Sequence, residues 1–204
     1  MNTQSRKEQE RITRKNEIME AGLQLFAEKD FHEVTVDEIA ERVGLSKGTL
    51  YLYFKNKDDL FFSIIQDKTN LLYKRLNATI EGDKPFTECL KNFVYTFLTF
   101  FEEHKPYFKI IHSERSRTDT NDHYRLHQIG MKFFQMFIDI IDDLIKIGQR
   151  QKILRGIESS VLTKGLRGIL NSFTFQRVFQ GSSESLEKET EQILDLFLNG
   201  VLKK

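Results

Sequence analysis

From Ser46 to Lys57 the chain reads Ser-Lys-Gly-Thr-Leu-Tyr-Leu-Tyr-Phe-Lys-Asn-Lys, a run of hydroxyl, ammonium and phenol groups without a carboxylate. If Leu50 and Phe54, four apart, turn inward on a helix, then Lys47, Gly48, Thr49, Tyr51 and Tyr53 spread over its outer surface. Those groups suit a polyanion with readable edges. Lys47 can reach guanine acceptors or a phosphate, Thr49 offers a hydroxyl or a methyl, and Gly48 has no side chain to hold the backbone away from DNA. Tyr51, Tyr53, Lys55 and Lys57 suit phosphate contacts.

The flanking residues predict how that surface is positioned. Thr35 can cap a first helix by accepting from the amide of Glu38, whose carboxylate can reach back to the amide of Thr35. Ile39, Ala40 and Val43 make one buried stripe. Gly44 stands where a helix end needs positive φ, Leu45 re-enters the core, and Ser46 can cap a second helix starting at Lys47. Two short helices around a tight turn form a helix-turn-helix. The two caps, Thr35 and Ser46, join Lys47, Gly48, Thr49, Tyr51, Leu52, Tyr53, Lys55 and Lys57 as the candidate DNA-contacting set. Upstream, Arg6, Lys7, Arg11, Arg14 and Lys15 are interleaved with Glu8, Glu10 and Glu17. They read equally as a phosphate-tracking arm and as a solvated helix face.

This segment resembles the DNA-binding domain of the tetracycline-repressor (TetR) family of bacterial transcription regulators. The resemblance rests on Gly-Leu-Ser-Lys-Gly-Thr-Leu-Tyr-Leu-Tyr-Phe-Lys-Asn-Lys-Asp-Asp-Leu at 44–60, and on Ala21, Leu25, Phe26, Ala27, Phe31, Thr35, Val36, Ile39 and Ala40 before it. Two positions depart from the usual pattern. Asp30 stands where Gly is common, so the turn after the first helix is expected to carry left-handed strain that Asp tolerates, and Leu52 occupies a variable reading position, where the resemblance implies apolar contact with a thymine methyl. The resemblance implies an all-α protein, with a helix-turn-helix DNA-binding domain over 1–57 and a larger ligand-binding and dimerisation domain over 58–204. It implies a transcription regulator, most simply a repressor, acting on a double-stranded DNA operator as a homodimer joined through its last two helices.

Helical periodicity runs through the rest of the chain. Leu60, Phe61, Ile64, Ile65, Leu71, Leu72 and Leu76 predict a long fourth helix, broken by Gly82 to Pro85. Cys89, Phe93, Val94, Phe97, Phe100 and Phe101 predict a fifth, ending near Pro106, and Phe108, Ile110 and Ile111 a short sixth. Leu126 to Leu144 predict a long seventh. Leu162, Gly165, Leu166, Ile169, Ser172, Phe173, Gln176 and Phe179 predict an eighth, and Leu186, Ile193, Leu194, Phe197, Leu198 and Val201 a ninth, the last two being the expected partner-facing stripes.

The chain holds 18 Phe, 6 Tyr and no Trp, and the ring-rich middle helices are where the resemblance puts a ligand. Phe93, Phe97, Tyr107, His112, Phe133, Phe137, Phe173 and Gln176 are the candidate lining residues, although rings at helical spacing serve packing as readily. The aromatic core and the Tyr-Leu-Tyr-Phe-Lys-Asn-Lys string resemble fatty-acid-responsive members of the family, so a fatty acyl compound is the expected effector, with a lipophilic drug and an efflux-regulating role as the alternative. His123 and His127, four apart, could chelate a metal with Glu114 or Asp119, but histidines at that spacing are commoner as surface residues. No nucleophile elbow, phosphate-cradling loop or carboxylate pair with a recognisable motif appears, so neither an enzyme nor a cofactor is expected. A helical enzyme or a scaffold remains the competing class. The lone Cys89 permits no intrachain disulfide and no cysteine-built zinc site. The formal charge is +1, and with a polar N-terminus and no membrane-length apolar run, a cytoplasmic protein is expected.

Overall fold

The computed structural model describes residues 3–29, 31–115 and 123–202, with side chains described at 6–29, 31–112, 131 and 134–202. Asp30, and with it the expected strain in its turn, lies outside the described residues. The fold is all-α: α1 (Thr3–Glu28), α2 (Val36–Arg42), α3 (Lys47–Tyr51), α4 (Lys57–Ile80), α5 (Phe86–Glu103), α6 (Lys105–Arg115), α7 (His123–Arg150), α8 (Ser159–Phe175) and α9 (Leu186–Val201). A π turn over Gln176–Gln180 extends α8. α5 ends at Glu103, near Pro106 as expected, and Pro106 itself falls in the first turn of α6. Its fixed φ and missing amide cost nothing there, because the first turn has no intrahelical acceptor for that amide.

The residues divide into two compact units, Met1–Lys68 with Lys109–Arg117, and Thr69–Phe108 with Thr118–Lys204. The first therefore runs past the boundary expected at residue 57. Leu60, Phe61 and Ile64 of α4 are fully buried beside Ile18, Leu25, Phe26, Val34, Ile39 and Leu50. Phe61 meets the ring of Phe26 edge-on at 5.1 Å and that of Phe31 at 5.0 Å. Gly22 lets α1 and α4 close up, since a Cβ there would lie 3.0 Å from Ile64 Cδ1. The opening turns of α4 thus complete the core of the DNA-reading unit, each large side chain contributing roughly 1.5–3 kcal/mol by leaving water.

In the second unit α5 is central. Phe86, Cys89, Leu90, Phe93, Val94, Phe97, Leu98, Phe100 and Phe101 are all buried, because α7, α8 and α9 pack around it. A helix apolar on most of its circumference needs such cover. One expectation is corrected here. Ile193, Phe197 and Val201, read as part of a partner-facing stripe, are buried in the chain's own core where α9 meets α5, while Leu196 and Gly200 point outward. Leu162 and Leu166 of α8 are likewise internal. A stripe at helical spacing marks a buried face without saying which neighbour buries it.

Candidate nucleic-acid interface

The reading surface is held by local bonds that its own sequence dictates. At the start of α2 the amide of Glu38 donates to Thr35 Oγ1 at 3.2 Å, while the amide of Thr35 donates to Glu38 Oε2 at 2.8 Å, closing the capping box. At its end the amide of Leu45 donates to Ala40 O at 2.9 Å and that of Gly44 to Glu41 O at 3.0 Å. This is the Schellman arrangement, and Gly44 adopts the φ of +66° that it demands. Ser46 then caps α3, accepting from the amide of Thr49 at 3.2 Å. Leu50 and Phe54 are buried, which fixes the rotation of α3. The hydroxyls of Thr35 and Ser46 are thus committed to positioning the two helices.

Glu38 also accepts from Lys29 Nζ at 2.6 Å. That bond, with the amide and hydroxyl of Thr35, holds its carboxyl down at about 2 against an ordinary value of 4.5. A depressed carboxyl stabilises the fold fully above its unfolded value, and the contribution is lost as pH falls through about 2. Glu38→Gln should therefore flatten the acid limb of a plot of urea midpoint against pH between 4.5 and 2. A limb as steep as that of the native chain would mean other carboxylates dominate it.

Around α3 the fold leaves outward what the spacing predicted. Leu52 is 77% exposed, Tyr51 is exposed and Tyr53 half-buried. Gly48 has no packing reason to be glycine, for a Cβ there would meet nothing nearer than Ser46 Oγ at 3.9 Å. Glycine inside a helix costs about 1 kcal/mol relative to alanine, so the close approach of an external molecule is what would explain it. Lys47 is exposed but engaged, its Nζ 2.7 Å from Asp37 Oδ2, and that bond raises its pKa. The segment lacks acids in sequence, yet Asp37 of α2 brings one to it in space. Both side chains are exposed, at 50% and 64%, and the pair is salt-screened, so a phosphate or a guanine edge can take the place of Asp37.

Lys57 departs most from expectation. Its ammonium donates to Phe31 O at 2.7 Å and Val34 O at 2.8 Å and sits 4.4 Å from the Phe31 ring centre. Burial lowers its pKa. This lysine ties the turn between α1 and α2 to the start of α4, and only Lys55 of the exit pair is exposed. Lys47→Ala should reduce the salt slope of operator binding by about 1 for each bound head and relax preference at one base position. Lys57→Met should instead cost about 2 kcal/mol of stability, since hydrogen bonds from a charged donor to two carbonyls are lost. Urea unfolding and salt-dependent binding of both variants separate the roles; equal slopes for Lys47→Ala and the native chain would remove Lys47 from the interface.

The ligand candidates fall in several places. Phe97 is buried in α5, stacks on Phe137 at 5.1 Å and meets Phe101 edge-on at 4.8 Å. Tyr107 is buried with its ring parallel to that of Phe101 and its hydroxyl 2.6 Å from Thr69 Oγ1. Phe93 is buried nearby on α5, Phe173 is half-buried and Gln176 exposed. His112 belongs to the 109–117 segment of the first unit. The side chains of Phe133, His123, His127 and Glu114, and Asp119 altogether, lie outside the described residues.

Spacing gave no sign of one further group. Arg177, in the π turn, donates through Nε to Glu189 Oε2 at 2.8 Å, through Nη1 to Glu102 Oε2 at 3.3 Å, and through Nη2 to the carbonyl of Glu184. Ser182 Oγ donates to Glu189 Oε1 at 2.6 Å.

A capped helix pair presenting a basic, hydroxyl-rich second helix, ahead of a separate aromatic-cored helical unit, defines a helix-turn-helix DNA-binding regulator. Residues 18–64 match the family described as bacterial regulatory proteins, tetR family. Residues 18–64 thus carry the DNA-binding domain of the TetR family of transcriptional regulators. It is 21% identical over 189 residues to the fatty acid metabolism regulator protein of Bacillus subtilis, covering 92% of this chain and 95% of that one. Its fold matches the transcriptional regulator FadR from Bacillus subtilis in complex with stearoyl-CoA, with a TM-score of 0.75 and 22% identity over 90% and 97% of the two chains. It also matches SmeT, the repressor of the Stenotrophomonas maltophilia multidrug efflux pump SmeDEF, with a TM-score of 0.70 and 18% identity over 93% and 91%. No helix among the described residues is long and apolar enough to cross a membrane.

Proposed function

We propose that this chain is a cytoplasmic homodimeric repressor released from its operator by a fatty acyl compound. Lys47, Gly48, Thr49, Tyr51, Leu52, Tyr53 and Lys55 contact the DNA, with Thr35 and Ser46 orienting the helices that carry them. Two such heads about 34–36 Å apart would engage successive major-groove faces, which one head cannot do. The effector reading is carried by the aromatic cluster of Phe97, Phe101, Phe137 and Tyr107, where a buried hydroxyl pair, Tyr107 with Thr69, can orient a polar end. It is supported by likeness to a regulator whose solved structure holds stearoyl-CoA. The lever is α4, one continuous helix from Lys57 in the first unit to Ile80 in the second. An effector favouring the DNA-incompetent form by about 1–3 kcal/mol lowers operator affinity about 5–150-fold.

Selecting duplexes from a random pool with the native chain, then titrating the complex with stearoyl-CoA and shorter acyl-CoAs, tests this. Release within that range is expected. Phe97→Trp should abolish release while effector-free binding stays nearly intact. If Phe97 is only packing, Phe97→Trp instead costs about 1–3 kcal/mol of stability by overpacking. A native complex indifferent to every acyl-CoA but released by a lipophilic drug such as triclosan would move the effector to the drug class.

A further inference from the structure

Residues 6–17 of α1 are exposed without interruption, and burial begins at Ile18. From Ile18 onward, Ile18, Ala21, Gly22 and Leu25 place the core-facing stripe of α1 against α2 and α4. Followed back by the helical repeat, the same face carries Lys15, Arg14, Arg11 and Lys7. The stripe thus turns from apolar to cationic where the helix projects past its core. Glu8, Glu10 and Glu17 fall to the sides of that face. Arg14 pairs with Glu17 at 2.6 Å and Arg6 with Glu10 at 2.9 Å, but Arg11 reaches Glu8 only at 4.0 Å. Lys15 Nζ lies 5.5 Å from the ring centre of Phe54, so the stripe emerges on the side of the helix-turn-helix exit.

We infer that the first turns of α1 form a second DNA contact, in which Lys7 and Arg11, continued by Lys15, follow the phosphate backbone flanking the bases read by α3. The inference rests on the DNA-binding function of the first unit and extends it. A face of cations with no internal polyanion matches a phosphate strand in charge, and it is continuous with the reading surface within one unit. The contact carries no base information, so it adds affinity and salt dependence without sequence preference.

The full chain with Lys7→Gln and Arg11→Gln together tests this on a duplex enriched by the native chain. Each neutralised phosphate contributes about 0.9 to the slope of log affinity against log salt. With both heads of the proposed homodimer bound, about four phosphates are involved, so the variant slope should be shallower by about 3.6, and raising salt from about 50 to about 200 mM should weaken the native chain on the order of 100-fold more than the variant. Trimming the duplex to the bare half-sites should erase the difference, while thermal unfolding of the two proteins coincides. An unchanged slope overturns the inference, and so does a difference that survives trimming or a loss of affinity at constant slope. A native chain that enriches no duplex at all refutes the DNA reading beneath it, a distinct outcome.

Discussion

Arg177→Ala is expected to be the most damaging single substitution in the second unit, lowering stability by about 3–5 kcal/mol. Arg177 is 8% exposed and Glu189 5%, so removing the guanidinium leaves a buried carboxylate whose Oε2 has lost its cationic partner. The arginine also holds the carbonyl of Glu184 and reaches Glu102 of α5. The π turn, the loop after it, α5 and α9 therefore loosen together. For a chain of this length the midpoint should fall by roughly 6–20 °C. Replacing both charges, Arg177→Met with Glu189→Leu, should recover most of the loss, because apolar packing offsets the missing pair while Glu102 keeps Lys105 at 2.6 Å. Thermal and urea unfolding of the single and double variants measure both effects. A single variant that melts with the native protein would show that water reaches this cluster and that the pair contributes nothing.

Leu196 and Phe197 are neighbours in sequence, yet one meets solvent and the other the core. Leu196 is 58% exposed and Phe197 4%. Given the proposed homodimer, Leu196→Asp should leave each chain folded, place a charge in the contact between copies, and cost the assembly several kcal/mol. Sedimentation should then show monomers, with operator affinity down by about 100-fold or more. Phe197→Asp should instead unfold the chain, because its charge would enter the core between α9 and α5. Val161, Gly165, Gly168 and Ser172 make a matching uncovered strip on α8, where small side chains let a second helix approach closely. A native chain that sediments as a monomer at micromolar concentration, or a Leu196→Asp dimer with full affinity, would sink the assembly. Circular dichroism on both variants keeps misfolding from passing as dissociation.

By itself the sequence determined the all-helical class and the helix-turn-helix. Thr35 with Glu38, Gly44 with Leu45, and Ser46 with Thr49 act within five residues of one another, so their types and spacing specify the bonds that form. The outward set on α3 was legible for the same reason, because Leu50 and Phe54 fix its rotation. Only the tertiary structure decided which neighbour each longer helix meets. Periodicity marked one face of α9 as buried, but the same apolar stripe serves a partner's helix or the chain's own α5, and the chain's own core claims Ile193, Phe197 and Val201. Lys57 shows the limit most sharply. Its flexible stem reaches water, phosphate or carbonyl equally well in a local reading, and the carbonyls it takes belong to Phe31 and Val34, more than twenty residues earlier. The guanidinium of Arg177 likewise draws its carboxylates from Glu102 and Glu189. Capping and helical rotation are local and therefore written in short stretches of sequence, whereas the partner of a long charged side chain is set by which distant groups the packed helices bring within its reach.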